Sequence, residues 1–398
     1  MISVFWDSGV ATRFAFCTSL YFAALFSNLG VYLPFMPVFL AWRGMTAFEI
    51  AILTSAPLFV RIVATPAIGI WSDAQDDHRR AIILGGWAAI VCAAILPFAN
   101  GFWLILLLVV VLQLATQSLI PLMEAKSLSG AQRLGVDYGR MRLWGSLAFI
   151  GANMAGGSMI AAFGGESIAI MIFLTVSVTA AAAYALPADD SVKILPPQDF
   201  KEGFARAFSL LSHRWFVFLV LAAGLIQGSH AVFYVFSALY WRSIGISDAW
   251  IGMLWALGVI AEVGFFIVSN RVLIRFGAVG LLIIGGCAAV LRWLAMAFEP
   301  AFWLLFPLQC LHALTFAATH LGTVNLIQTY VPVERCGAAQ SVNSAIGSGI
   351  FMGLSTLLAG ALYEPFGTQS YIAMSLLAFL GLIAAMCIRV RYANDNAQ

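Results

Sequence analysis

Long apolar runs separated by short polar breaks recur along the whole sequence. Each run contains roughly 20 residues or more, which is the length that one helix needs to cross a bilayer. Because none of the runs alternates every second residue, as the strands of an outer-membrane barrel do, the pattern predicts helices. The twelve predicted spans cover residues 14–41, 49–71, 81–99, 102–123, 139–163, 167–186, 215–241, 249–269, 278–298, 301–330, 337–363 and 369–388.

The longest polar stretch, 187–214, divides the spans into six and six. We therefore predict an N-terminal six-helix bundle over 1–186 and a C-terminal six-helix bundle over 215–398. In the cytoplasmic linker between them, apolar residues recur every three or four positions opposite charged ones, which predicts a short amphipathic helix. Its apolar positions are Phe200, Phe204, Phe208 and Leu211, and its charged positions are Lys201, Glu202 and Arg206.

The two halves also resemble each other in sequence. Segment 42–53 is matched by segment 241–254, and both begin with Trp-Arg. Thr46 and Glu49 of the first segment have the spacing of a capping box at a helix N-terminus. A duplicated six-helix unit is typical of transporters that bind their solute near the bilayer midplane. The predicted fold is an all-α polytopic membrane protein with twelve transmembrane helices in two pseudo-symmetric bundles.

The composition excludes a water-soluble protein. Hydrophobic residues make up 62% of the chain and charged residues 10%, whereas soluble domains have about 45–50% and about 25%. The net charge of +2 comes without a basic block, which argues against nucleic acid as a partner. The six cysteines are scattered, so neither a disulfide framework nor a metal site is expected. The sequence contains no recognisable cluster of catalytic side chains, so an enzyme is not expected.

The positions of Lys and Arg predict the orientation in the membrane. With the N-terminus inside, sixteen of the 20 Lys and Arg residues fall on the cytoplasmic side, and only Arg43 and Arg242 fall outside. This distribution is a strong positive-inside bias. We therefore expect a bacterial cytoplasmic membrane protein with both termini in the cytoplasm.

Several ionisable residues lie inside the predicted spans. A charge at mid-bilayer costs from about 2.5 to over 10 kcal/mol, so it needs a partner or a wet cavity. Counted at about 1.5 Å per residue, Arg61, Glu262 and His312 share one depth. His230 lies close to that depth, and Arg292 lies nearer the outer end of its span. An acid, guanidinium groups and imidazoles at one level suit proton exchange.

Structural roles remain open for some of these residues. Arg61 and Glu262 would also suit a static bridge that closes the outer face. Buried histidines such as His230 and His320 more often donate hydrogen bonds between helices than carry protons. The intramembrane amides, which would either pack or contact a solute, include Asn28 and Gln227.

The loop between spans 2 and 3 carries a charged motif. An Asp at a helix end followed by cationic residues can latch helices in one state of a rocking cycle, although an ordinary charged loop has the same composition. The motif resembles the signature of the major facilitator superfamily, G-x-x-x-D-R/K-x-G-R-R. The basic residue after the Asp and the second glycine are missing, and two residues are inserted. The matching residues are Gly69, Asp73, Arg79 and Arg80.

Other stretches resemble the lactose-permease-type proton symporters and, more closely, their phenylpropionate-permease-like branch. The sequences PLMEA at 121–125 and DYGRMRLWG at 137–145 resemble the region of spans 4 and 5 in both groups. In the lactose permease the matching acid and arginine bind the sugar. The resemblance therefore implies a solute-binding role for Glu124 and Arg142.

The resemblance extends to the second half of the chain. It implies a proton-coupling role for Glu262, Arg292 and His312. The lactose permease has a proton-carrying carboxylate three residues after the coupling histidine, where this sequence has Thr315. A threonine hydroxyl cannot carry that proton, so Glu262 or one of the histidines must do so.

We hypothesise a monomeric secondary transporter that moves a small organic solute inward, together with protons, across the lipid bilayer. It needs no cofactor, because the proton gradient supplies the energy. The guanidinium fork favours a carboxylate solute, whereas Glu124 leaves sugars and nucleosides open. A drug or metabolite exporter of the same fold, which exchanges its solute for protons, is the alternative. The predicted solute contacts are Glu124, Arg142, Arg61, Asn28, Gln227 and His230, and the predicted proton-coupling residues are Glu262, His312, Arg292 and His320.

Overall fold

A computed structural model describes residues 8–74, 78–187 and 209–395 of the chain. Within these ranges every regular element is a helix. The α-helices are α1 (Ser8–Trp42), α2 (Ala47–Ala74), α3 (His78–Ile95), α4 (Phe102–Gln117), α5 (Ile120–Leu134), α6 (Tyr138–Phe163), α7 (Ser167–Ala185), α8 (Arg214–Gly228), α9 (Ala231–Ser243), α10 (Asp248–Ala297), α11 (Leu305–Cys310), α12 (Thr319–Tyr330), α13 (Val333–Ser344), α14 (Met352–Phe366) and α15 (Ser370–Asp395).

In the described ranges, ten helical stretches are long and apolar enough to cross a membrane. Two of them have double length, Asp248–Ala297 with 50 residues and Arg335–Ile388 with 54. The first is interrupted at Gly277, where φ is 68°, a value that glycine adopts without steric cost. The second contains the 3-10 turn Gly367–Gln369. Dividing both gives twelve crossings that match the twelve predicted runs, so the all-α polytopic prediction is confirmed.

The described residues form two compact units, and those of the first lie within the ranges 1–44, 60–197 and 247–253. In this unit α1 packs against α6 and α7, and α3 packs against α4 and α7. Apolar side chains such as Tyr21, Phe22 and Met123 form its core and are almost completely buried. The α1 helix is apolar on nearly every face, as expected for a helix that packs against several other helices.

The second unit comprises residues 45–59, 198–246 and 254–398. Here α8 packs against α15, and α9 packs against α14. The predicted capping box is present at the start of α2. The Thr46 backbone N–H donates to Glu49 Oε2 at 2.8 Å, and the Glu49 N–H donates to Thr46 Oγ1 at 3.2 Å.

Positions 200–208 of the predicted amphipathic helix in the linker lie outside the described residues. Its last apolar position, Leu211, belongs to the 3-10 turn Leu210–Ser212. The amphipathic helix stays a prediction.

Several membrane-spanning stretches are interrupted in mid-course. The stretch of α4 and α5 breaks after Gln117, and the stretch of α8 and α9 breaks at Ser229–His230. π-Helical turns occupy Ala313–Ala318 and Ala345–Phe351. Irregular turns of this kind are frequent at functional sites because they change the direction of side chains and release backbone groups. Two of these interruptions carry His230 and adjoin His312.

Candidate functional site

A cluster of polar side chains surrounds Arg292 in the second unit. The Arg292 side chain is completely buried. Its Nη2 donates to Gln309 Oε1 at 2.9 Å, and its Nη1 donates to Thr315 Oγ1 at 3.2 Å. Nη1 also lies 3.4 Å from Nδ1 of His312. Arg292 thus makes its hydrogen bonds to side chains that carry no negative charge. We call Arg292, His312, Glu262, His230, Thr315 and Gln309 the Arg292 cluster.

Aromatic rings enclose the guanidinium group on two sides. Its Cζ lies 4.7 Å from the ring centre of Phe233 and 4.7 Å from that of Trp293. A desolvated cation–π contact stabilises the cation by about 2 kcal/mol. A buried charge needs such compensation, because desolvating an ion costs several kcal/mol. The rings therefore help to keep a cation where water is excluded.

Glu262 is the acidic member of the Arg292 cluster. Its Oε2 lies 3.6 Å from Nε2 of His312, and its side chain is 20% exposed. The other ring nitrogen of His312 faces Arg292, which can only donate. A neutral His312 with its hydrogen on Nε2 therefore satisfies both neighbours. The structure brings together three of the four residues predicted to share the coupling role, namely Glu262, His312 and Arg292.

His230 extends the cluster toward the break between α8 and α9. Its Nδ1 lies 3.1 Å from the carbonyl oxygens of both Ile226 and Gln227. Its Nε2 lies 2.9 Å from Thr315 Oγ1. The ring is completely buried and stacks on Tyr234 at 5.5 Å. His230 therefore lies inside the cluster and makes contacts on both ring nitrogens.

Gln227 and His320 border the cluster without entering it. Gln227 Nε2 donates to the carbonyl oxygen of Phe316 at 3.3 Å, within the π-helical turn. His320 is exposed and stacks on the Phe316 ring, with ring centres 6.2 Å apart. Phe316 in turn stacks on His312 at 5.2 Å. The predicted contacts of Gln227 and His320 with solute or protons stay predictions.

A second charged pair lies in the first unit. Arg142 Nε is 3.8 Å from Glu124 Oε1, and the two side chains are 28% and 39% exposed. The guanidinium Cζ lies 3.9 Å above the Phe26 ring and 5.5 Å from the Phe22 ring. The structure therefore brings together the two residues to which the lactose-permease resemblance assigns the solute. Both remain partly accessible.

Gly145 makes room for this pair. A Cβ atom at position 145 would lie 3.0 Å from Arg142 Nη1 and 3.1 Å from Phe26 Cδ2. Both distances are tighter than ordinary van der Waals contact. The absence of a side chain at Gly145 therefore lets the guanidinium lie close to the Phe26 ring.

Arg61 and Asn28 have contrasting surroundings in the first unit. Asn28 is 2% exposed and donates from Nδ2 to Thr175 Oγ1 at 3.1 Å, which joins α1 to α7. Arg61 is partly buried on α2 and makes no hydrogen bond or ion pair with the described residues of its unit. An arginine at membrane depth without a partner requires water or a ligand beside it. The predicted solute contacts of Arg61 and Asn28 stay predictions.

The predicted latch is described in part. Arg79 Nη2 donates to the Tyr184 carbonyl oxygen at 2.8 Å, near the C-terminal end of α7, where a cation is favourable. Arg80 is exposed, and a Cβ atom at Gly69 would have no other side chain or neighbouring helix within 4 Å. Residues 75–77 lie outside the described residues, and Asp73 belongs to the last turn of α2. The latch stays a prediction.

Comparison with known proteins agrees with this architecture. The model of the MFS_1 like family matches residues 16–373. The chain belongs to the MFS_1 like family. A probable 3-phenylpropionic acid transporter of Escherichia coli (strain K12) is 31% identical over 364 residues, which cover 90% of this chain and 93% of the relative. A maltose permease of Geobacillus stearothermophilus is 26% identical over 380 residues, or 94% of each chain.

Solved structures extend the agreement to the fold of the whole chain. A point mutant of the nucleoside transporter NupG superposes with a TM-score of 0.82 at 15% identity and covers 95% of this chain and 99% of its own. A bacterial homologue of the human lysosomal transporter Spinster gives a TM-score of 0.73 at 14% identity, with 96% and 98% coverage. This member of the MFS_1 like family is therefore a transporter with the major facilitator fold and not an enzyme.

Sequence reasoning did not predict the contacts that three residues make in these sites. Gln309 accepts the shortest hydrogen bond of Arg292, Thr315 joins Arg292 to His230, and Phe26 lies beneath Arg142. A phenylalanine in an apolar helix gives no signal in a single sequence. The spacing of Gln309 and His312, three residues apart, placed both on one helical face and was the signal available for Gln309.

Proposed function

We propose that this transporter moves a small organic anion inward together with protons, and that Glu262 accepts the proton. The Arg292 cluster carries the proposal. In it a buried guanidinium has neutral hydrogen-bond partners, and Glu262 is the acid that lies against His312. Protonation of Glu262 removes one buried negative charge. That change alters the relative energies of the inward- and outward-facing states, which is the requirement for coupling.

Arg142 and Glu124 form the solute site in this proposal. The planar guanidinium binds a carboxylate through two parallel hydrogen bonds. Its close contact with Phe26 places the fork beside an apolar ring, which suits a carboxylate attached to an aromatic or aliphatic group. The relative that is 31% identical and named for 3-phenylpropionic acid supports this solute class. Arg61 provides a second guanidinium for the anion.

Glu124 also suits a hydroxylated solute, because a carboxylate accepts hydrogen bonds from hydroxyl groups. The relative named maltose permease and the structural similarity to a nucleoside transporter keep sugars and nucleosides in the set of solutes to be tested. We place the protein as a monomer in the bacterial cytoplasmic membrane, with both termini inside. The distribution of Lys and Arg supports this orientation.

The first test is uptake into proteoliposomes with an acidic exterior and a neutral interior. We expect labelled 3-phenylpropionate to accumulate above its external concentration, and a protonophore to abolish the accumulation. Maltose and uridine serve as the hydroxylated comparison solutes. Accumulation that persists with protonophore would contradict proton coupling. Release of preloaded solute in exchange for entering protons would instead identify an exporter.

Replacing Gly145 with alanine tests the solute site. The new Cβ displaces Arg142 from the Phe26 ring, so we expect the affinity for the transported anion to fall about five- to tenfold, which is on the order of 1 kcal/mol. Calorimetric titration of the purified protein measures the change. Gly151→Ala is the matched control in the same helix, because nothing lies within 4 Å of its new Cβ. Equal affinities of the two variants would contradict the proposed site.

A further inference from the structure

We propose that the hydroxyl group of Thr315 is a positioning group: it links the Arg292 guanidinium to the neutral His230 ring and so sets the pH range in which Glu262 takes up its proton. The proposal rests on the proposed function, because it assumes that Glu262 is the proton acceptor. Thr315 itself is completely buried in the π-helical turn Ala313–Ala318.

The hydrogen bonds around Thr315 have one possible direction. His230 Nδ1 faces two carbonyl oxygens, which only accept, so Nδ1 carries the hydrogen. In a neutral ring Nε2 then has the lone pair, and the Thr315 hydroxyl must donate to it across 2.9 Å. The same oxygen accepts from Arg292 Nη1 at 3.2 Å. Thr315 therefore uses both capacities of its hydroxyl group to join a cation to a neutral imidazole.

This link determines where the guanidinium lies relative to Glu262. Arg292 Nη1 has two acceptors, Thr315 Oγ1 at 3.2 Å and His312 Nδ1 at 3.4 Å. The His312 ring lies between Arg292 and Glu262, with its Nε2 3.6 Å from the carboxylate. If Thr315 no longer accepts, the remaining acceptor draws the cation toward the Glu262 side. A closer cation favours the ionised carboxylate.

Other ionisable groups also face Glu262, and their influence stays constant in the test. Tyr234 on α9 interacts with Glu262 electrostatically, and His312 contacts it from the stretch between α11 and the π-helical turn. Arg292 lies on α10 with Glu262 itself, and His230 lies at the break between α8 and α9. A substitution at Thr315 removes none of these groups, so a changed pH dependence reports the lost hydroxyl.

The pH dependence of uptake separates the positioning role from a packing role. Thr315→Val keeps the shape of the side chain but lacks the hydroxyl, and we expect its half-maximal uptake to move to lower pH by about one unit, a tenfold change in proton affinity. Thr315→Ser retains the hydroxyl and should keep the wild-type profile. Thr319→Val is the matched control, because Thr319 is also completely buried but its hydroxyl has no partner among the described residues.

Nitrogen NMR of protein labelled in its five histidines tests the same link without transport. In the wild type at neutral pH we expect His230, assigned by the signal lost in His230→Gln, to be protonated on Nδ1 and hydrogen-bonded at Nε2. The Nε2 resonance should move to the position of a free acceptor in Thr315→Val and stay in Thr315→Ser and Thr319→Val.

Two results would overturn the proposal. One is a wild-type His230 that is charged or protonated on Nε2, which is measurable even if Thr315→Val does not fold. The other is a Thr315→Val protein with the wild-type pH profile. If uptake by the wild type does not depend on pH at all, the proposed function fails, while the NMR measurement still decides whether Thr315 donates to His230.

Discussion

Replacing Glu262 with glutamine abolishes accumulation of the solute in proteoliposomes with an imposed pH gradient. The amide has nearly the shape of the protonated carboxyl group but cannot release a proton, so the cycle loses the charge change that alternates the two states. Because glutamine has nearly the same shape, we expect the packing of residue 262 against the neutral His312 ring to change little. We expect uptake to fall to the level of liposomes without protein, as measured with the labelled solute.

Glu364→Gln provides the control for this experiment. Glu364 is exposed near the end of α14, so the same change of charge there should leave accumulation intact. Binding of the solute to Glu262→Gln, measured by thermal shift, should persist, because a bound ligand still stabilises the folded state. Undiminished accumulation by Glu262→Gln would assign the proton to another residue.

Replacing Arg142 with lysine should weaken solute binding at least about tenfold, which corresponds to about 1.4 kcal/mol. An ammonium group presents a point charge and cannot reproduce two parallel hydrogen bonds to a carboxylate. It also lacks the planar group that Arg142 places 3.9 Å from the centre of the Phe26 ring. Calorimetric titration with 3-phenylpropionate measures the loss. We expect the fold to persist, because the side chain is partly exposed and keeps its charge beside Glu124.

Arg140→Lys is the matched control. It lies in the same helix, and its side chain is 87% exposed beside Asp137, in a surface ion pair that contributes little. Wild-type affinity in Arg142→Lys combined with lost affinity in Arg61→Lys would move the carboxylate to Arg61. Unchanged affinity in both variants would show that neither guanidinium group binds the solute.

The membrane explains why the architecture follows from the sequence. Each crossing must make its backbone hydrogen bonds within its own helix and present an apolar surface to the lipid. The spans can therefore be recognised in the sequence as runs of about 20 apolar residues. The break between α10's two arms falls in the predicted polar gap between 269 and 278, at Gly277. The depth count placed Glu262 and His312 at one level, which agrees with their contact. The same count also placed Arg61 at that level and Arg292 nearer the outer end, so depth by itself does not identify the members of the Arg292 cluster.

The sequence did not predict in the same way how each helix is rotated about its axis, and so which side chains face the sites. In the π-helical turn after His312, the angle between successive side chains departs from the α-helical value, so the face of Thr315 is not given by a period of 3.6. Phe26 lies in a helix that is apolar nearly all round, and no periodicity separates its ring from its neighbours. The family resemblance, and not the spacing of the residues, predicted that Arg142 and Glu124 belong to one site.

The reversal at Gly277 has a consequence for how this region can evolve. Glu262 and Arg292 lie 15 residues before and after it, and a straight helix would separate them by about 45 Å. Both nevertheless reach the two nitrogens of one imidazole, His312. Adding one residue to either arm would displace one charge by about 1.5 Å and turn it by about 100°. Related chains that keep the acid and the guanidinium in register should therefore show length variation outside 262–292.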